Sequence, residues 1–383
     1  MTPPVTLEDL RRRSRRRLPR FVFDFVDGAA GDEVSMVDNQ EAFRRLRIQP
    51  RQQVDVSARS TRTTVLGEEL TSPVMLAPTG LQRLVHRHAD LEAARAASRF
   101  GTTYVVSSAS AFSVEELAAV SDRPLWFQLY LWRDRRAVEH VVRRARDAGY
   151  STLVVTVDVP IVGTRDRDLR NGMSLPPRIT ARNVFEGARH PRWALDLVSG
   201  PPITFKNFAE FAPQSRGMAL MKYANEELTN PASGWDDLRW LRELWPGPLV
   251  VKGVMSAHDA ELAVAAGADG VIVSNHGGRQ LDGVPATIDV LPEVVTAIGD
   301  RAVVMLDGGV RRGTDVLKAL ALGARAVFVG RPYWWGLTCR GEAGVTQVLE
   351  ILRSELDSAM ALSGRPTIAD VGADLVWRPP PTP

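Results

Sequence analysis

The chain has 383 residues, of which 44% are hydrophobic, with a net charge of +3 and a pI near 9.2. That is enough apolar material for one large domain or two. It is too weakly basic to imply a nucleic-acid partner, and no compact reader motif is present. The single cysteine, Cys339, excludes an intrachain disulfide and sets a cytoplasmic expectation, and no apolar run is long enough to span a membrane.

In chain order, a helix is expected to begin near Thr6, with Arg11–Arg13 and Arg15–Arg17 as its solvated face. The following LPRFVFDFVDG is too short and, with Asp24 and Asp27, too acidic for the apolar region of a signal. Residues 28–72 read as mixed turns and short strands, so 1–72 is taken as a lead-in. A rhythm then begins. Apolar, strand-like runs lie at 74–77, 104–106, 125–129, 152–157, 249–251, 270–273, 302–306 and 326–329. Amphipathic helical patterns lie between most of them, at 91–99, 114–120, 136–148, 257–266, 288–298 and 314–322. Strands alternating with helices imply a parallel sheet, and eight of them imply closure as an α/β (β/α)8 TIM barrel with its site at the strands' C-terminal ends. The expected barrel spans 73–364 and ends on a helix at 345–361, followed by a tail at 365–383.

The residues that follow each run fit that rule. They are Thr79, Ser107, Gln128 with Tyr130, Thr156 with Asp158, Lys252, Ser274 with His276, Asp307, and Arg331. Eight strand ends delivering polar groups to one rim favour a catalytic barrel. The rhythm breaks once, over roughly ninety residues between the fourth and fifth strands, longer than an ordinary connection. There, 178–222 mixes Phe185, Trp193, Leu195, Leu197, Phe205, Phe208 and Phe211 with seven Arg/Lys against three Asp/Glu. A segment of this kind can lie on an anionic membrane surface. The insertion, 178–232, can equally be a lid folded over the site.

The stretch 271–282, VIVSNHGGRQLD, carries the chemistry. His276 is suited to take a proton near neutral pH, and Arg279 offers a planar fork for a carboxylate. Asp158 would orient the imidazole and favour its protonated form. LDGGVRRG at 306–313 and VGRP at 329–332 place glycines where barrels bind phosphate. Arg311 and Arg331 would add charge-assisted bonds there. Lys252 can serve as a Schiff-base amine or as a fixed cation. No serine or cysteine nucleophile motif accompanies these residues, and no metal-ligand spacing is evident.

SNHGGRQLD at 274–282, LDGGVRRGTDVLKALALGA at 306–324 and FQLY at 127–130 resemble the FMN-dependent L-2-hydroxy acid oxidases and dehydrogenases. The resemblance runs from about Leu7 to Gly364. HPRWALDLV at 190–198 and the run at 235–253 lean toward the branch of mandelate and lactate dehydrogenases. The resemblance implies FMN as cofactor, His276 as base and Asp158 as its support. It implies Arg165 and Arg279 as the carboxylate clamp, with Tyr130 alongside. Thr79, Gly80, Ser107, Gln128, Thr156, Lys252 and Ser274 would line the flavin ring and ribityl chain. Asp307, Gly309, Arg311, Gly330 and Arg331 would hold ribityl and phosphate.

Two departures bear on substrate. Phe25, in VFDFV, stands where the family has a tyrosine hydroxyl, and Ala109 stands where glycolate oxidase has a tryptophan. With Gly80, these suggest a roomier, drier pocket. A mandelate-like acid is therefore expected first and lactate second, with quinone or oxygen as electron acceptor. The resemblance also implies a homotetramer or larger assembly. The protein is expected in the cytoplasm, with a peripheral hold on the inner face of the plasma membrane through 178–222 as the variant case. Competing readings are an FMN-dependent isomerase, a tailoring oxidase acting on a modified amino acid or biosynthetic 2-hydroxy acid, and a non-catalytic flavin- or membrane-binding protein.

Overall fold

The computed structural model describes residues 3–173, 180–211, 226 and 229–377. Eight parallel strands form one sheet: β1 (Val74–Leu76), β2 (Val105–Ser107), β3 (Trp126–Tyr130), β4 (Thr152–Thr156), β5 (Leu249–Val254), β6 (Gly270–Val273), β7 (Val303–Leu306) and β8 (Val327–Val329). Neighbours in sequence are neighbours in the sheet, and β8 returns to β1 with Val327 opposite Val74. The remaining seam, β1 to β2, is closed by the single parallel bridge Leu76–Tyr104. The strands are β-branched and apolar because both their faces are buried, as the barrel geometry demands. Met75, Val105, Trp126, Val154, Val250, Ile272, Met305 and Phe328 fill the interior. Val65 and Leu70, from the hairpin Thr63–Val65/Glu68–Leu70, join that cluster. Each expected strand is present within a few residues of its expected bounds.

The N-terminal helix Leu7–Arg17 starts at Thr6, whose side chain accepts from Asp9 N while Asp9 reaches back to the Thr6 backbone, a capping box. Not all its arginines are solvated. Arg11 makes a two-pronged pair with buried Asp27 at 2.8 and 2.7 Å, and Arg17 donates to the Cys339 carbonyl. A second helix, Arg20–Asp27, brings Phe25 to the rim. The expectation for 28–72 needs one correction, because Val34–Arg45 is a helix. Its inward face carries Ser35 and Asn39 beside Ala42 and Phe43, so it has no apolar period to read. Asn39 exchanges amide bonds with Asn275 at 2.9 and 3.0 Å, tying the helix to the loop after β6.

In the described part of the insertion, Trp193, Phe205 and Phe208 fold back and are buried. Arg83, in the loop after β1, donates to the carbonyls of Leu197 and Pro201 at 2.7 and 2.9 Å. Trp193 Nε1 donates to the Leu84 carbonyl at 2.8 Å. At the far end of the chain, Val376–Trp377 pairs antiparallel with Arg47–Ile48, so the described portion of the tail is stitched to the lead-in.

Candidate active site

A cleft opens at the C-terminal ends of the strands, lined by groups from the strand-end loops, the helix Arg20–Asp27 and the insertion. On one wall stands His276, held at φ 58° by the turn that ends β6. Its Nδ1 lies 3.0 and 3.2 Å from the two oxygens of Asp158, which follows β4. Burial, outweighing the Asp158 carboxylate, holds the imidazole below its ordinary range. Burial works to raise the Asp158 carboxyl, but His276 and Lys252 prevail and hold it low. The couple at neutral pH is thus a neutral imidazole that donates from Nδ1 to a carboxylate and keeps a lone pair on Nε2. The sequence-based expectation that Asp158 favours the protonated form has the direction of its influence right, but burial is the larger effect.

Gln280, in the same motif, fixes the loop that carries Asp158. Its amide donates to the carbonyls of Asp158 and Ile161 at 3.0 and 2.9 Å and accepts from Gly163 N at 3.2 Å. Sequence reading left Gln280 without a role, although its place three residues before the turn at Gly283 was in plain view.

Beside His276 lie two arginines. Arg279 donates through Nη1 to the carbonyls of Phe25 and Gly28 at 2.9 and 2.7 Å, and its guanidinium sits 5.3 Å from the centre of the Phe25 ring. Burial, then the charges of Arg165 and Arg331, pushes Arg279 well below its ordinary value, so an anion placed here is strongly favoured. Arg165 donates to the Arg279 carbonyl at 3.3 Å and lies 3.6 Å from Asp168. Tyr130, at the end of β3, lines the same space, and burial raises its hydroxyl.

Lys252 and Asp307 line the cleft, whereas Ser107, Gln128, Thr156 and Ser274 are buried polar groups outside its lining. Ser107 donates to Gln128 at 3.2 Å and Gln128 to Thr156 at 3.0 Å. Lys252 donates to Ser274 at 3.0 Å and lies 3.3 Å from Asp307. Burial works against the Lys252 charge, but Asp307, Asp158 and Tyr130 outweigh it and raise the ammonium above its ordinary range. Lys252 is therefore a permanent cation, which disfavours the Schiff-base role. Thr79 and Gly80 form the opposite lip, with the Thr79 hydroxyl bonded to Tyr333 and Trp334. Gly80 and Ala109 abut one another, since a Cβ on Gly80 would lie 2.7 Å from that of Ala109. At the other end Gly309, Gly330, Arg311 and Arg331 line the cleft. Phe205, from the segment expected either as a lid or as a membrane face, also lines it, and so do Trp334, Leu81 and Val162, which sequence reading missed. Trp334 lies two residues beyond VGRP and was within reach of inspection, whereas nothing local marked Leu81 and Val162.

A family model described as FMN-dependent dehydrogenase matches residues 14–378. The chain belongs to that family. It is 44% identical over 369 residues to an L-lactate dehydrogenase of Caulobacter vibrioides, covering 96% of each chain. It is 42% identical over 368 residues to an (S)-mandelate dehydrogenase of Pseudomonas putida, covering 96% of this chain and 92% of that one. Its fold superposes with a TM-score of 0.94 on a crystal structure of the monotopic membrane protein (S)-mandelate dehydrogenase, at 40% identity, covering 99% of this chain and 100% of that one.

As a member of the FMN-dependent dehydrogenases, the protein is an FMN-dependent α-hydroxy acid dehydrogenase or oxidase. Its cleft fits the cofactor. Asp307 Oδ1 is buried with no partner among the described residues, suiting a ligand hydroxyl. Gly308 and Gly309, which line the cleft, take φ of 91° and 83°, a backbone that side chains rarely adopt, and a Cβ on Gly309 would lie 2.1 Å from the Asn39 carbonyl oxygen. Burial and Arg331 lower Arg311 to about 10, and burial with Arg165 and Arg167 lowers Arg331 to about 10. Two half-buried guanidiniums that repel one another suit a phosphate dianion.

Proposed function

We propose that this enzyme oxidises an L-2-hydroxy acid to the 2-oxo acid, with a mandelate-like aryl substrate favoured over lactate. The observation that carries the reading is the imidazole of His276, 3.0 Å from the Asp158 carboxylate, on the same rim as the half-buried arginines Arg165 and Arg279. Arg165 and Arg279 hold the substrate carboxylate, with Tyr130 bonding nearby, and so set the carbinol group against His276. As that carbon becomes a ketone, one hydrogen leaves as a proton, which His276 Nε2 takes; Asp158 stabilises the imidazolium that results. FMN, when bound, supplies the electron sink for the two electrons and the remaining hydrogen. Thr79, Gly80, Ser107, Gln128, Thr156 and Ser274 would face its ring and ribityl chain. Lys252 would supply a fixed positive charge to the bound flavin, and Asp307, Gly309, Arg311, Gly330 and Arg331 would hold ribityl and phosphate.

Substrate preference rests on what surrounds the clamp. Phe25, Leu81, Ala109, Val162, Phe205 and Trp334 present an apolar wall, and no side-chain hydroxyl stands at position 25. Such a wall favours an aryl ring through area buried. The test is anaerobic titration of the FMN-loaded enzyme with (S)-mandelate and with L-lactate, following flavin absorbance. Rapid bleaching by mandelate at lower concentration than by lactate is expected. Bleaching by lactate alone would discard the aryl pocket but keep the chemistry. Bleaching by neither would shift the reading to a tailoring oxidase or an isomerase.

A second observation favours a peripheral membrane contact and hence a quinone, rather than oxygen, as acceptor. On helices Ala181–Ala188 and Pro191–Ser199, Val184, Phe185, Leu195 and Val198 are 61%, 63%, 65% and 84% exposed, beside Arg182, Arg189 and Arg192. No helix among the described residues is long and apolar enough to cross a membrane. Surface binding through such a face combines apolar burial with attraction to anionic lipid. The enzyme is expected to co-sediment with phosphatidylglycerol vesicles, and Phe185→Glu with Val198→Glu should release most of it. Equal sedimentation of the double variant would remove this reading. The remainder of the 178–222 segment lies outside the described residues.

A further inference from the structure

Away from the cleft, the loop between β1 and the helix Ala89–Phe100, together with the helix's first turn, gathers two histidines and a carboxylate. His86, His88 and Glu92 each offer a ligand atom, and these atoms all lie within 4.8 Å of one another. His88 is the residue before the first turn of the helix and Glu92 lies four residues on, so the helix presents both on one side. His88 Nδ1 lies 3.1 Å from Glu92 Oε1. His86 Nε2 and Glu92 Oε2 converge on Gly341, at 3.2 and 3.1 Å from where a Cβ on that residue would stand. A glycine there, at φ 58°, keeps the space between them open.

We propose that His86, His88 and Glu92 form a zinc site outside the catalytic cleft. Zinc takes imidazole and carboxylate ligands at roughly 2.0–2.2 Å, which puts ligand atoms about 3.4 Å apart in a tetrahedron. The existing spread of up to 4.8 Å closes by side-chain rotation, for which His88, 48% exposed, is free. Three protein ligands leave the fourth position to water. Two arginines compete mildly. Arg95 lies 3.8 Å from Glu92, while Arg87 is drawn off by Asp196 at 3.7 Å.

The site has a structural reach. Glu92 Oε2 also accepts from Glu342 N at 2.8 Å, at the start of the helix Glu342–Leu362. The same loop carries Thr79 and Gly80 at the cleft, and Arg83 and Leu84 at their contacts with the insertion. Bound zinc therefore pins the loop that joins the site to its cover.

The test uses the FMN-loaded enzyme, stripped with chelator and titrated with zinc chloride against a colorimetric competitor, for the native chain, His88→Ala and Glu92→Gln. One equivalent per chain is expected, weakened at least tenfold in both variants, with a zinc-dependent rise in melting temperature only in the native chain. Glu92→Gln keeps the acceptor for Glu342 N, and unchanged flavin absorbance and circular dichroism verify folding. Absence of zinc uptake by the native chain, or equal uptake by all three, would overturn the site.

Discussion

His276→Asn is expected to slow flavin reduction by about 10²–10⁴-fold, the range a positioned general base contributes, while FMN stays bound. Asparagine is the informative replacement, because His276 sits at φ 58° and asparagine tolerates that left-handed backbone better than most residues. The His276 backbone N–H, which donates to Ser274 at 3.1 Å, is also preserved. The loss should therefore report proton transfer and not a collapsed turn. The pH dependence follows from the same geometry. A base must be neutral to act, and burial holds this imidazole below its ordinary range. The native kcat/KM should rise with pH through a limb centred on the acid side of 6.5, and the limb should vanish in His276→Asn. Asp158→Asn removes the group that raises the imidazole, so it should shift the limb to still lower pH and reduce the plateau through lost orientation. Anaerobic stopped-flow reduction across pH measures all three. Near-native reduction in His276→Asn would assign the base elsewhere.

Much of this site was legible before the fold was known, for a physical reason. Parallel barrel strands are buried on both faces, so they print as short β-branched runs, and the rim residues follow at once in sequence. His276, Lys252 and Asp307 needed only that rule. Where the inward face is polar, the rule has nothing to read. The helix Val34–Arg45 buries Ser35 and Asn39 and so showed no apolar period. Phe205 reaches the cleft only because Arg83 and Leu84 fasten the insertion, a contact between segments more than a hundred residues apart. The His86, His88 and Glu92 cluster was invisible for a different reason, since its spacing becomes a cluster only once His88 is known to begin a helix.

Arg279→Met is expected to lower kcat/KM by about 10²–10⁴-fold, because two bonds to a charged carboxylate are lost at about 1.5–3 kcal/mol each. A purely structural role is the rival explanation, since Nη1 already binds the carbonyls of Phe25 and Gly28 and thereby fastens the helix Arg20–Asp27 to the rim. Two comparisons separate the roles. Arg279→Lys keeps the charge but not the planar fork, so as a clamp it should recover only part of the loss. The methyl ester of the substrate has no carboxylate to hold, so the native enzyme should turn it over poorly and Arg279→Met should cost it much less than it costs the acid. Equal loss for acid and ester, with a lowered melting temperature, would assign Arg279 to the scaffold and leave Arg165 as the substrate's cation. Burial and two neighbouring cations already hold the Arg279 guanidinium far below its ordinary range. An arginine kept so deep beside Arg165 and Arg331 is stabilised by an incoming carboxylate more than a solvated one would be, which is why the effect of its removal should be large.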